Sequence, residues 1–155
     1  MLSDRKANVL VAEERTSRFV MLAAQPDKSA SRVARNLLRW FRQLPPELRR
    51  TFTQDNGTEF AHHFKLTEKL AMRTYFCNPH SPWQKGGLEN MNGRLRRYIP
   101  LKTDPKSLTR RHIRDIADAL NHTPRKCLGF KTPAEVFFHK LLHFECESTF
   151  PLSRE

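Results

Sequence analysis

The chain has 155 residues and a formal net charge of +12, with 28 Lys and Arg set against 16 Asp and Glu. Apolar residues make up 38% and aromatic ones 10%, which suits one domain with a real core and excludes a disordered chain, while the basic excess selects a polyanionic partner, nucleic acid first and an anionic membrane surface second. The longest apolar run, residues 19–24, is too short to cross a bilayer, the amino terminus has no apolar secretory region, and Cys77, Cys127 and Cys146 form no CxxC pair, so the expectation is a cytosolic protein with reduced thiols that serve packing.

Residues 7–12 (ANVLVA) and 18–24 read as two β-strands around the charged stretch Glu13, Glu14, Arg15, and are expected to form a hairpin. Ser29 opens a stretch in which Val33, Leu37, Leu38, Phe41 and Leu44 recur at helical spacing until Pro45 and Pro46 stop it. Residues 50–54 (RTFTQ) read as a short strand that halts at the turn-forming Asp55, Asn56, Gly57. A helix over 59–71 and a strand over 72–76 follow. Residues 78–87, with two Pro, one Trp and two Gly, read as a loop. Leu88, Met91, Leu95 and Tyr98 mark a helical stripe that ends at Pro100, and Ile113, Ile116, Ala117 and Leu120 mark another. Thr132, Pro133, Ala134, Glu135 is a capping box with Pro at the first helical position, and it opens a last helix. Strands alternating with helices predict an α/β class with a mixed sheet. His139 and His143 stand four residues apart without a third ligand, and no metal is expected there.

Four of the five glycines, Gly57, Gly86, Gly87 and Gly93, fall in two short segments that also carry acids. In the first, Asp55 projects from the carboxyl end of a strand, the edge at which open α/β sheets bind ligands; the same D-N-G also serves to cap a turn. In the second, Glu89, Asn92 and Arg96 share a polar helix face opposite Leu88, Met91 and Leu95. Gly93 inside that helix costs roughly 1 kcal/mol relative to Ala, which points to a close neighbour. Lys85, Arg94, Arg96 and Arg97 add charge suited to phosphates.

The segments QDNGTEF and SPWQKGGLEN, with 33 residues between Asp55 and Glu89, resemble the DDE transposases of bacterial insertion sequences, which belong with the retroviral-type integrase cores. ERTSRFVML, LPPELRRTFTQDNG, YFCNPHSPWQ and LNHTPRKCLGFKTPAEVF extend the resemblance over nearly the whole chain. It implies a ribonuclease-H-like fold, a mixed sheet flanked by helices, over residues 1–142, with 143–155 as a carboxyl-terminal tail. It also implies DNA transposition and recombination by two-metal phosphodiester cleavage and strand transfer, with three carboxylates holding two magnesium or manganese ions. Asp55 and Glu89 would be the second and third acids, both catalytic and metal-binding. Asn56, Lys85, Asn90, Arg94, Arg96 and Arg97 would meet DNA. The implied partners are the element ends and target DNA, in a homodimer or larger assembly of the bacterial cytoplasm and nucleoid, with no membrane and no small-molecule cofactor.

In the family the first acid lies on a strand that precedes the hairpin, whereas here the hairpin starts close to Met1. Asp4, within SDRKAN, falls where the family has a turn, and Glu13 and Glu14 lie at the far end of the next strand. The expectation is therefore a core that lacks its first strand and first catalytic Asp, with open strand edges and little strand transfer of its own. Two alternatives stand beside it. One is a catalytically inactive DNA-binding remnant that interferes with a full-length transposase. The other is a basic α/β domain that binds nucleic acid for another purpose, indifferent to magnesium and to Glu89→Gln.

Overall fold

Alternation of apolar residues sets the hairpin. In the computed structural model, which describes residues 8–78, 86–100, 103–104 and 107–149, β1 (Asn8–Glu13) pairs antiparallel with β2 (Val20–Gln25), Asn8 opposite Gln25 and Glu13 opposite Val20. Successive side chains point to opposite faces, and both faces are covered. Val9 and Val20 enter a core with Met91, Leu95, Ile99, Ile113, Ile116 and Leu120. Leu10, Ala12 and Ala23 enter another with Val33, Leu37, Phe41, Leu66 and Met72. The turn is closed by Glu14 N–H on the Phe19 carbonyl and Arg18 N–H on the Glu14 carbonyl, each 2.8 Å, with Arg18 in the left-handed region at φ 61.

Helix α1 (Ala30–Phe41) buries Val33, Ala34, Leu37 and Phe41 and leaves Arg32, Arg35 and Arg39 exposed, as its spacing predicts. β3 (Thr51–Gln54) and β4 (Arg73–Phe76) pair in parallel, joined through α2 (Phe64–Leu70). The helix expected over 59–71 is shorter than its pattern: a 3-10 turn at Thr58–Phe60 comes first and brings the Phe60 ring to 6.3 Å from that of Phe52. Ala71, at φ 54, ends α2. The strands form two separate two-stranded sheets, one antiparallel and one parallel, and among the described residues no strand joins them.

Helix α3 (Gly86–Leu95) buries Met91 and Leu95. The chain then loosens into turns, and Ile99, whose N–H reaches the Leu95 carbonyl at 2.9 Å, continues the stripe in place of Tyr98, which is 46% exposed. Steps of four residues from Met91 lead through Leu95 to Ile99, so the stripe closes on Ile99 and not on the expected Tyr98. Helix α4 (Arg110–Asn121) starts at Thr109, whose hydroxyl accepts the His112 N–H at 3.1 Å. In α5 (Pro133–Thr149) the capping box forms as expected, Thr132 Oγ1 accepting the Glu135 N–H at 3.1 Å and Glu135 Oε2 the Thr132 N–H at 2.7 Å. This helix runs through residues 143–149, which the sequence reading gives to a tail; no proline interrupts it before Pro151. Among the described residues no helix is long and apolar enough to cross a membrane. Cys77 is buried, but Cys127 is an exposed free thiol with no packing role.

Candidate functional site

Asp55 follows the last residue of β3, and its carboxylate is held locally: Oδ1 accepts the Gly57 N–H at 3.2 Å. The turn-capping role of D-N-G is thus real, and it orients the carboxylate. Gly57 has an ordinary backbone at φ −67, so what a side chain there would disturb is its neighbours. A Cβ there would lie 2.5 Å from Glu59 Oε2 and 3.0 Å from Asp55 Oδ1. Two carboxylates therefore crowd over one glycine. The sequence reading passes over Glu59 because its spacing from Asp55 matches the start of the expected helix; its signal was QDNGTEF itself. Asn56 is exposed beside the pair.

Glu89 is exposed on the first turn of α3. At 100° per residue, Asn92 and Arg96 fall on its flank of the helix. Arg96 and Arg97 are exposed past the helix end. Asn90 and Arg94 fall on the other flank, where with Glu13, Arg18, Gly86, Gly87, Met91, Arg125 and Cys127 they line a cavity of about 290 Å³. The residues expected to meet DNA on α3 are thus shared between two faces. Lys85 lies outside the described residues, as does Asp4. The close neighbour expected at Gly93 is not found among the described residues. It is found at Gly87, where a Cβ would stand 2.7 Å from Arg18 Nη1 and 3.5 Å from Glu13 Oε2. Burial pushes the Glu13 carboxyl up, against the opposing pull of Arg18 at 3.7 Å and of Arg94.

Asp55 and Glu89 ride on different layers, one on the β3–β4 pair and the other on α3. Among the described residues no group of three or more His, Cys, Asp or Glu forms a metal site. The chemistry of the donors nevertheless suits a hard divalent cation, because Asp55 and Glu59 present carboxylate oxygens at one point, beside an exposed Asn56.

No family model matches the chain. It is 42% identical over 126 residues to the transposase for insertion sequence element IS1086 of Cupriavidus metallidurans, covering 81% of this chain and 37% of that protein. It is 38% identical over 132 residues to transposase InsI for IS30A of Escherichia coli, covering 85% and 34%. Against the transposase for IS4351 of Bacteroides fragilis the identity is 37% over 134 residues, covering 86% and 41%. The chain therefore spans 34–41% of the length of these curated relatives. Among solved structures, the catalytic core domain of BIV integrase matches with a TM-score of 0.65 at 22% identity, covering 88% of each chain. That likeness is one of fold, and it makes the architecture that of an integrase core.

Proposed function

We propose that this homologue of insertion-sequence transposases is the part of a DDE catalytic core that carries the second and third acids, Asp55 and Glu89, and that it acts in DNA transposition. The observation that carries the reading is the Asp55 carboxylate, oriented by the Gly57 N–H at the end of β3 with Glu59 against it.

Asp55 and Glu59 would hold magnesium or manganese, with Glu89 the third acid only by the resemblance, since the three do not form one group among the described residues; the metal would supply charge neutralisation at the attacking and leaving oxygens of a phosphodiester. The chain's own residues do the rest. The turn at Gly57 fixes the Asp55 carboxylate before any ligand arrives, which spares the site that ordering cost. Arg96 and Arg97, exposed beyond α3, hold backbone phosphates, with Arg94, Lys85, Asn56 and Asn90 as further DNA contacts. These contacts give affinity and little sequence preference. Paired element ends call for an assembly of at least two copies, working at the nucleoid.

The test is a chimera in which residues 8–149 replace the matching segment of the IS30A transposase, assayed for cleavage at that element's ends with magnesium or manganese. Cleavage that survives the exchange and is lost on Asp55→Asn or Glu89→Gln supports the assignment. Cleavage insensitive to both substitutions ends it. A chimera that only binds DNA, steeply dependent on salt and indifferent to the metal and to Glu89→Gln, identifies the non-catalytic reading instead.

A further inference from the structure

We propose that the cavity between the hairpin turn and the amino-terminal end of α3 is a second phosphate site, separate from the acids, that seats a backbone phosphodiester of DNA against Arg18, Arg94 and Arg125. The proposal rests on the reading that the chain acts on DNA.

Arg125 is the strongest pointer. It is only 4% exposed, yet it lines the cavity. Its Nη2 donates to the Leu120 carbonyl at 2.9 Å, while its Nε is buried with no acceptor among the described residues. A guanidinium held in the wall of a cavity gives that wall a fixed positive charge and planar donors, the complement of an oxyanion. The loop around it is built to keep it in place: the Arg125 carbonyl accepts the Leu128 and Phe130 N–H groups at 3.0 Å, and its N–H donates to the Lys131 carbonyl at 3.0 Å. Gly129 and Phe130, both with positive φ, turn the chain so that this can happen.

The electrostatics agree. Three guanidinium groups, Arg18, Arg94 and Arg125, face one carboxylate, Glu13, which is already paired with Arg18. The partial positive charge at the start of the ten-residue α3 adds to the excess. Gly87 lets Arg18 lie directly against that helix end, since a Cβ would meet Nη1 at 2.7 Å. A volume of about 290 Å³ holds a phosphate and its sugar and is too small for a duplex groove. Asn90 and Arg94 reach it from the flank of α3 that does not carry Glu89, so a strand held here is gripped away from the acids.

Cys127 supplies the test, because it lines the cavity and is exposed while Cys77 is buried. Alkylation of Cys127 by iodoacetamide is followed by peptide mass spectrometry at constant ionic strength, with a short oligothymidylate, with inorganic phosphate, or with chloride alone. Oligothymidylate is expected to slow the reaction saturably. Arg94→Gln and Arg18→Gln are each expected to raise the half-protecting concentration about tenfold, and Glu13→Gln to lower it. Both arginines have exposed or half-exposed side chains, so these variants fold where Arg125→Gln could fail; circular dichroism checks this. Absence of saturable protection, or protection unchanged in the double arginine variant, overturns the proposal. Protection by inorganic phosphate and none by oligothymidylate overturns the DNA source and assigns the site to a free anion. Asp55→Asn and Glu89→Gln are expected to leave protection intact, and loss of protection in them would show that the two sites are one. Failure of the metal reading appears in the cleavage assay, and failure of this one in the alkylation.

Discussion

Asn121 closes a two-pronged hydrogen bond on the backbone of Val20, its Oδ1 accepting the Val20 N–H at 2.8 Å and its Nδ2 donating to the Val20 carbonyl at 2.9 Å. The last residue of α4 thereby behaves like a neighbouring strand at the outer edge of β2. Asn121 is 3% exposed and Val20 1%, so water does not readily replace it. Asn121→Ala leaves a buried N–H and C=O unpaired and is expected to cost about 2–4 kcal/mol, read from urea unfolding. A loss below about 1 kcal/mol would mean that this edge is wetter than its burial shows.

Glu14 makes stability depend on acid. Burial alone would raise its carboxyl, but the Ser17 hydroxyl, the Thr16 and Ser17 N–H groups and the Lys140 ammonium outweigh it and hold it below the ordinary 4.5. A lowered folded value means stability that is complete above pH 4.5 and is lost as pH falls through the folded value. Glu14→Gln is expected to cost about 1–2 kcal/mol near neutral pH and to flatten the acid limb of the stability curve. An unchanged acid limb in the variant would place that dependence elsewhere.

Gly57→Ala separates folding from the acids. Its backbone, φ −67 and ψ 143, is one that Ala adopts without strain, and Ala restricts the unfolded chain, so stability should shift by less than about 1 kcal/mol. The added Cβ displaces the flexible end of Glu59, 2.5 Å away. Manganese affinity, measured by proton relaxation, is expected to fall several-fold. Unaltered affinity would exclude Glu59 from the ion's surroundings.

Phe137 ties α5 to the hairpin turn. Its ring stacks on Phe19 with centroids 4.3 Å apart and planes 15° from parallel, and Phe138 meets both edge-on at 5.8–5.9 Å. Phe137→Ala is expected to cost about 3–4 kcal/mol, whereas the 49% exposed Phe138 should cost about 1. A double-mutant cycle between Phe19 and Phe137 should give a coupling of about 0.5–1.5 kcal/mol; zero coupling would reduce the stack to area burial alone.

What was legible in the sequence follows from what is local. Periodic Val33, Leu37 and Phe41, the alternation of 8–13, and the Thr132 box each carry their own element, because spacing and capping act within a few residues. Asp55 was legible for the same reason, as a turn residue after a strand. The start of α2 was not, since the Asp55–Gly57 turn overrides the helical pattern of 59–63. Nor was the cavity. The left-handed Arg18, the Gly87 against which its guanidinium lies and the buried Arg125 come from three distant segments, and nothing in any one of them signals the others.

The hairpin has a consequence for alignment. Its two strands form a partition with Val9 and Val20 on one side and Leu10 and Ala23 on the other. Glu89 hangs from the first side through Met91 and Leu95, and Asp55 from the second through Phe52. Their spacing is a tolerance set by the thickness of that wall. On the proposed assignment, a methyl group gained or lost at Leu10, touching neither acid, would shim one against the other, and cleavage by the chimera is expected to fall more than the melting point.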